Sequence, residues 1–136
     1  MKIILSIVAF LALSANTFSN EFLEVSIFTE SQIPRVSIPD TQIIIYDLNA
    51  PKKMQGTSPK FSPDIVVAEK QARQWMASVE GKQYMNDLRD AYKGQKLITE
   101  WDIKKTPAVV FGDGQYVVYG TDDVRVAVRE YDNYKK

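Results

Sequence analysis

The most constraining stretch of this sequence is its last third. Two short runs rich in β-branched residues, Ala108-Val-Val-Phe111 and Tyr116-Val-Val-Tyr119, flank Gly112-Asp-Gly-Gln115. Asp113-Gly114 is a favoured pair for a tight hairpin, because such turns need residues that tolerate positive φ. Pro107 leads the first run and cannot donate to a ladder, which suits a strand's first residue. After the second run Gly120 permits an abrupt change of direction. Thr121 is then the expected N-cap, with Asp122 and Asp123 placed well against a helix N-terminus. Val124, Ala127, Val128 and Tyr131 form the apolar stripe of a closing helix. A hairpin feeding a terminal helix requires a sheet to pack on, so the chain reads as mixed α/β.

The upstream sequence supplies the rest of that sheet. Phe22 to Thr29 alternates and is β-branched at its centre, as a strand does. Pro34 and Pro39 break regular structure between Glu30 and Thr41. Ile43 to Tyr46 is a continuous apolar run, which predicts a strand buried on both faces in a parallel or mixed sheet. Asn49 to Ser62, with Pro51, Gly56 and Pro59, reads as a loop. Helical spacing follows: Ser62 is the expected N-cap with Pro63 at the first helical position. Ile65, Ala68, Ala72, Trp75, Met76 and Val79 then recur on one face, which predicts burial. Gly81 is expected to divide this helix from a second, carrying Tyr84, Leu88, Ala91 and Tyr92, and Gly94 to end or bend it. Lys96 to Asp102 is either a further helical turn or a connection. There is no internal repeat.

The N-terminus has another character. Lys2 precedes an apolar run from Ile3 to Leu13 broken only by Ser6, and small residues follow. This is the three-part form of a secretory signal, and the run is short for a bilayer crossing, which takes about 20 apolar residues. Cleavage after Ser14 or after Ser19 fits the small-x-small pattern, and the second starts the mature chain just before polar Glu21. The expected division is a signal peptide over 1–19 and one domain over 20–136. The protein is therefore expected to be exported, with no stable membrane anchor after cleavage.

Composition closes off much of chemistry. The chain has no Cys and no His, so it lacks a thiol–disulfide couple, a thiolate nucleophile and the usual general base near neutral pH. Lys+Arg and Asp+Glu balance at 17 each, so no basic excess marks a direct nucleic-acid surface. No catalytic set, phosphate loop or metal cluster stands out in the sequence, and neither enzyme activity nor a cofactor is expected.

A strand introduced by Thr-Pro, a hairpin, a glycine and a terminal helix resemble the C-terminal half of the thioredoxin fold, where the matching proline is cis. The run Trp101-Asp-Ile-Lys-Lys-Thr-Pro-Ala-Val-Val-Phe111, with Tyr116-Val-Val-Tyr-Gly-Thr-Asp-Asp-Val124, goes further. It resembles the signature of a family of exported proteins encoded in integrating conjugative elements. Val25-Ser-Ile-Phe-Thr29, Tyr46-Asp-Leu-Asn-Ala-Pro51 and Ala91-Tyr-Lys-Gly94 resemble other segments of that family. Phe111-Gly-Asp-Gly departs from its usual Val-Asp-Arg type of turn. The resemblance implies a thioredoxin-like domain without the redox cysteine pair: a central mixed sheet flanked by helices. It further implies a periplasmic, non-catalytic accessory of a conjugative, type IV secretion-like DNA-transfer system. Its expected partners are envelope subunits of the transfer apparatus, met by protein–protein contact. The alternatives are a thioredoxin-fold chaperone or binding module, or an enzyme of unrecognised type, unrelated to conjugation.

The candidate partner-binding loop is Lys105, Thr106 and Pro107. A backbone held extended beside such a proline can pair with an added strand; the alternative is that Pro107 only shapes the entry to a central strand. Ser31 and Gln32 fall where redox thioredoxins place their cysteines, but a lone Ser without an activating base is a poor nucleophile. Glu100 and Asp102 read as solvated carboxylates. Trp75, Met76, Tyr84 and Trp101 are expected in the core rather than in a stacking surface. Tyr116 and Tyr119 are expected on opposite faces of their strand. Tyr134-Lys-Lys136 is too small a basic cluster for DNA contact.

Overall fold

The computed structural model describes residues 22–136. The expected signal segment, 1–19, lies outside them. Four strands form one sheet in the order β2-β1-β3-β4: β1 (Leu23–Thr29), β2 (Thr41–Asp47), β3 (Ala108–Phe111) and β4 (Tyr116–Tyr119). β1 and β2 are parallel, while β3 is antiparallel to both β1 and β4. The helices are α1 (Ala50–Met54), α2 (Ile65–Ala77), α3 (Val79–Glu100) and α4 (Val124–Lys135). This is a central mixed sheet flanked by helices, the thioredoxin-like arrangement that the sequence pointed to. Among the described residues no helix is long and apolar enough to cross a membrane.

Strand alternation divides the core between two sheet faces. Val25, Ile27, Val109 and Phe111 meet Val124, Ala127 and Tyr131 of α4 on one face. Phe28, Ala108 and Val110 meet Ile103, Leu97, Ile98 and Trp101 at the end of α3 on the other. The hairpin and the closing helix lie where the sequence places them. Gly114 has φ +80°, and a Cβ there would come within 2.8 Å of the Trp101 ring, so the turn needs glycine for both conformation and space.

Several expectations are corrected. β2 is an edge strand and is half-buried along most of its length, not buried on both faces, because a sheet edge receives neighbours on one side only. The stretch read as a loop contains α1, with Pro51 in its first turn, where a missing N–H costs nothing. Lys53 bonds Asp47 at 2.5 Å and holds that carboxyl below its ordinary range. Asp64, not Ser62, caps α2, accepting from the N–H groups of Val66 and Val67. Asp123, not Thr121, caps α4, accepting from Arg125 N–H at 2.9 Å.

The largest correction concerns α2, which has no buried residue. Ala68, Ala72 and Trp75 are half-buried, while Ile65 and Val79 are 83% and 81% exposed and Met76 is 53% exposed. The helix packs on α3 and not on the sheet, so a stripe that would be core against a sheet is covered only along its middle. Trp75 contacts Tyr84 at 5.1 Å between ring centroids and Phe61 at 6.1 Å. Ser78 makes the corner between the two helices, ending one and capping the next. Gly81 sits just inside α3, and a Cβ there would fall 1.9 Å from the Trp75 carbonyl oxygen. It permits close approach and divides nothing. Gly94 likewise neither ends nor bends α3: it is buried where a Cβ would lie 2.9 Å from Tyr46 Cβ, letting the helix settle on β2.

Candidate functional site

The end of the sheet where β1 and β2 finish and β3 begins gathers most of the residues singled out by sequence. Its first element is the connection from β1 to β2. Parallel strands need a crossover, usually helical, yet residues 30–40 contain no helix. Pro34 and Pro39 account for that, since each removes a backbone donor and restricts the residue before it. Ile33, Val36 and Ile38 still pack on the α4 face of the sheet. Ser31 and Gln32 are exposed in this connector, which contains no helix.

Thr29 anchors the connector. Its side chain is buried, 1% exposed, and its hydroxyl donates to Asp122 Oδ2 at 2.8 Å while accepting from Ser31 N–H at 3.0 Å. One residue therefore ties β1, the connector and the entry to α4 together. The sequence reads Asp122 best as favourable charge at a helix start; its bond to Thr29 is invisible there because 93 positions separate the two. Beneath them lies a cavity of about 230 Å³, lined by Ile27, Ile33, Val36, Ile43 and Ile45 with Asp122, Asp123 and Arg125. Its wall is largely aliphatic and its charged groups lie along the α4 start. The cavity can take a small aliphatic side chain.

Lys105, Thr106 and Pro107 stand on the neighbouring strand. The paired register of β1 and β3 ends with Phe28 opposite Ala108, so Thr29 and Pro107 are the next residues on each strand. The Thr106-Pro107 bond is cis, as in the fold that the sequence resembles. Pro107 C=O accepts from Gly120 N–H at 2.9 Å, which carries the hairpin ladder one step past β4. Lys104, Lys105 and Thr106 are exposed. Among the described residues no backbone group pairs with the N–H or C=O of Thr106. The Lys105 ammonium lies 5.6 Å from the centre of the Tyr119 ring, and the Tyr119 hydroxyl accepts from Lys104 N–H at 3.2 Å. Tyr119 thus stiffens the approach to Thr106 from the opposite face to Tyr116, whose ring contacts Tyr131 and Tyr134.

The remaining candidates are dispersed. Glu100 pairs with Lys96 and Asp102 with Lys104, all at the surface. Trp101 packs edge-on to Phe28 at 5.9 Å, in the core as expected. Trp75 and Tyr84 are half-buried in the α2–α3 pair, and Met76 is exposed. What the geometry offers is the exposed Thr106, whose backbone groups have no backbone partner among the described residues, one strand from Thr29, which bonds Asp122 in the cavity wall. No curated protein and no solved structure gives a match to the chain. A family model described as "Protein of unknown function (DUF1525)" matches residues 22–136, the full described length, and the chain belongs to that family.

Proposed function

We propose that this protein is a periplasmic, non-catalytic accessory of a conjugative, type IV secretion-like DNA-transfer system, and that it acts by holding an extended segment of an envelope subunit at Lys105-Thr106-Pro107. The observation that carries the docking is Thr106: exposed, next to the central strand's first residues, with its N–H and C=O free of backbone partners. An added strand satisfies such groups directly, and main-chain bonds give affinity while side-chain pockets give selectivity. Thr29 lies on the neighbouring strand and is bonded to Asp122 in the cavity wall, so an aliphatic side chain of the bound segment has a place within about 10 Å, two strand spacings away. A chain without Cys or His can hold a segment there but cannot exchange disulfides with it. The conjugative setting is supported by the resemblance of the Trp101–Val124 run.

Transfer frequency from donors with an in-frame deletion, with and without complementation, tests the setting. A complemented collapse supports it, and unchanged transfer removes it. Complementation with Thr106→Pro, which deletes the unpaired donor at an exposed position, tests the docking. Transfer and envelope crosslinks should both fall while the circular dichroism spectrum stays native. A folded Thr106→Pro protein that retains its crosslinks would falsify the docking.

A further inference from the structure

The two edges of the sheet differ in how they are defended. Natural edge strands are blunted by charge, proline or bulges, because unpaired amides invite another strand. β2, at one edge, carries Gln42 and ends in Asp47. β4, at the other, reads Tyr-Val-Val-Tyr: no charge, no proline and a continuous register with β3 without a bulge. Tyr116 and Tyr119 are 36% and 37% exposed on its two faces.

The phase of the ladder says which β4 groups face outward. Gly120 N–H bonds to Pro107 C=O, and bonded and non-bonded pairs alternate along an antiparallel ladder. Tyr116 and Val118 therefore turn their amides inward to β3, and Val117 and Tyr119 turn theirs to solvent.

We infer that β4 pairs antiparallel with β4 of a second copy of this chain about a two-fold axis at Val118, joining two sheets into one. In this register Val117 of each copy faces Tyr119 of the other, so the residues with outward amides are those that exchange backbone bonds. The same pairs place an aromatic ring beside a β-branched side chain, a favourable cross-strand combination. Val118 meets its own copy, and Tyr116 lies over Gly120 of the second copy, where the missing side chain leaves room for the ring. The interface is isologous, as a closed dimer requires. The formal net charge is zero over the full sequence and −1 without Lys2 of the expected signal segment, which leaves little overall repulsion between copies. The pairing uses the strand edge and not the Thr106 loop, so it stands or falls independently of the proposed function.

The absence of cysteine makes the test clean. Val118→Cys is a mild change, and the non-bonded pair about the axis brings the two Cα atoms to about 4.5 Å, within disulfide range. Sedimentation of the unsubstituted 20–136 chain, the expected mature protein, should give twice the chain mass at submillimolar concentration. Under mild oxidation Val118→Cys should become a covalent dimer, while Met76→Cys, on exposed α2, should not. A folded chain that sediments as a monomer throughout that range overturns the inference. So does a folded Val118→Cys protein that crosslinks no faster than Met76→Cys.

Discussion

The sheet with α4 and the α2 arm are built from similar residues and have opposite fates. Val25, Ile27, Phe28, Val109, Val110 and Phe111 are at most 1% exposed, because strand neighbours and helices enclose them from every side. Ile65 and Val66 are at least 73% exposed, because α2 has one helix for a neighbour and only its Ala68-Ala72-Trp75 row faces it. Apolar periodicity reports which side of a helix has a partner, but not how wide that partner is. The core should therefore set global stability, and α2 should open at much lower cost.

Phe28→Ala should show the largest effect. The ring is fully buried, stacked on Tyr46 at 4.9 Å and edge-on to Trp101. Truncation at such a site costs about 3–5 kcal/mol, read as a fall in the denaturant midpoint. A loss below about 1 kcal/mol would mean that this face repacks, and the contrast with α2 would weaken.

Gly81→Ala probes the other region. The new Cβ would meet the backbone of Trp75 at 1.9 Å, so α2 must shift away from α3. Overpacking of this kind costs about 1–3 kcal/mol, and here it should appear locally. Hydrogen exchange should accelerate through 65–77 while the amides of β1 and β3 keep their protection. Equal loss of protection in the strands would make the arm and the core one cooperative unit.

This division also explains what could be read from sequence. The hairpin and α4 were legible because turn chemistry and a helical stripe are local: Gly112 and Gly114 take the positive φ that the turn needs, Asp113 between them does not, and Val124, Ala127 and Tyr131 fix the face. The cap residues were misplaced by two positions, at Ser62 for Asp64 and Thr121 for Asp123, because neighbouring short polar residues compete for one role. In both cases the earlier residue accepts from the true cap's own N–H. Gly94 looked like a break because Tyr46 and Leu48, which crowd it, are distant in sequence, and Gly81 because the corner that presses Trp75 and Met76 against it is made by Ser78. Lys105-Thr106-Pro107 could be named as a candidate from the Thr-Pro hairpin. The cavity beside it could not, since it depends on a crossover without a helix and on the Thr29–Asp122 bond.

That bond gives the third prediction. Thr29→Val keeps the shape of a buried side chain but removes the donor to Asp122 and the acceptor for Ser31 N–H. The expected loss is about 1–3 kcal/mol, the cost of leaving a partner unsatisfied. The hydrogen exchange of 30–38 should rise more than that of β3. Unchanged exchange in the connector would show that its aliphatic contacts, not Thr29, hold it in place.

The smallest effect is expected at Ile65. Its side chain is 83% exposed at the first turn of α2, and the cap beneath it is made by the Asp64 carboxylate and by backbone N–H groups. Gln has a helix propensity at least as good as Ile, so Ile65→Gln should change stability by less than about 0.5 kcal/mol, as surface substitutions generally do. Thermal melts at two protein concentrations make the result sharper than its size suggests. A near-zero change at both leaves α2 as a solvated arm whose stripe is covered only by α3. A loss above about 1 kcal/mol that grows with concentration would mean that Ile65 is buried against another copy. The difference between the two regions would then belong to the isolated chain and not to the protein in solution.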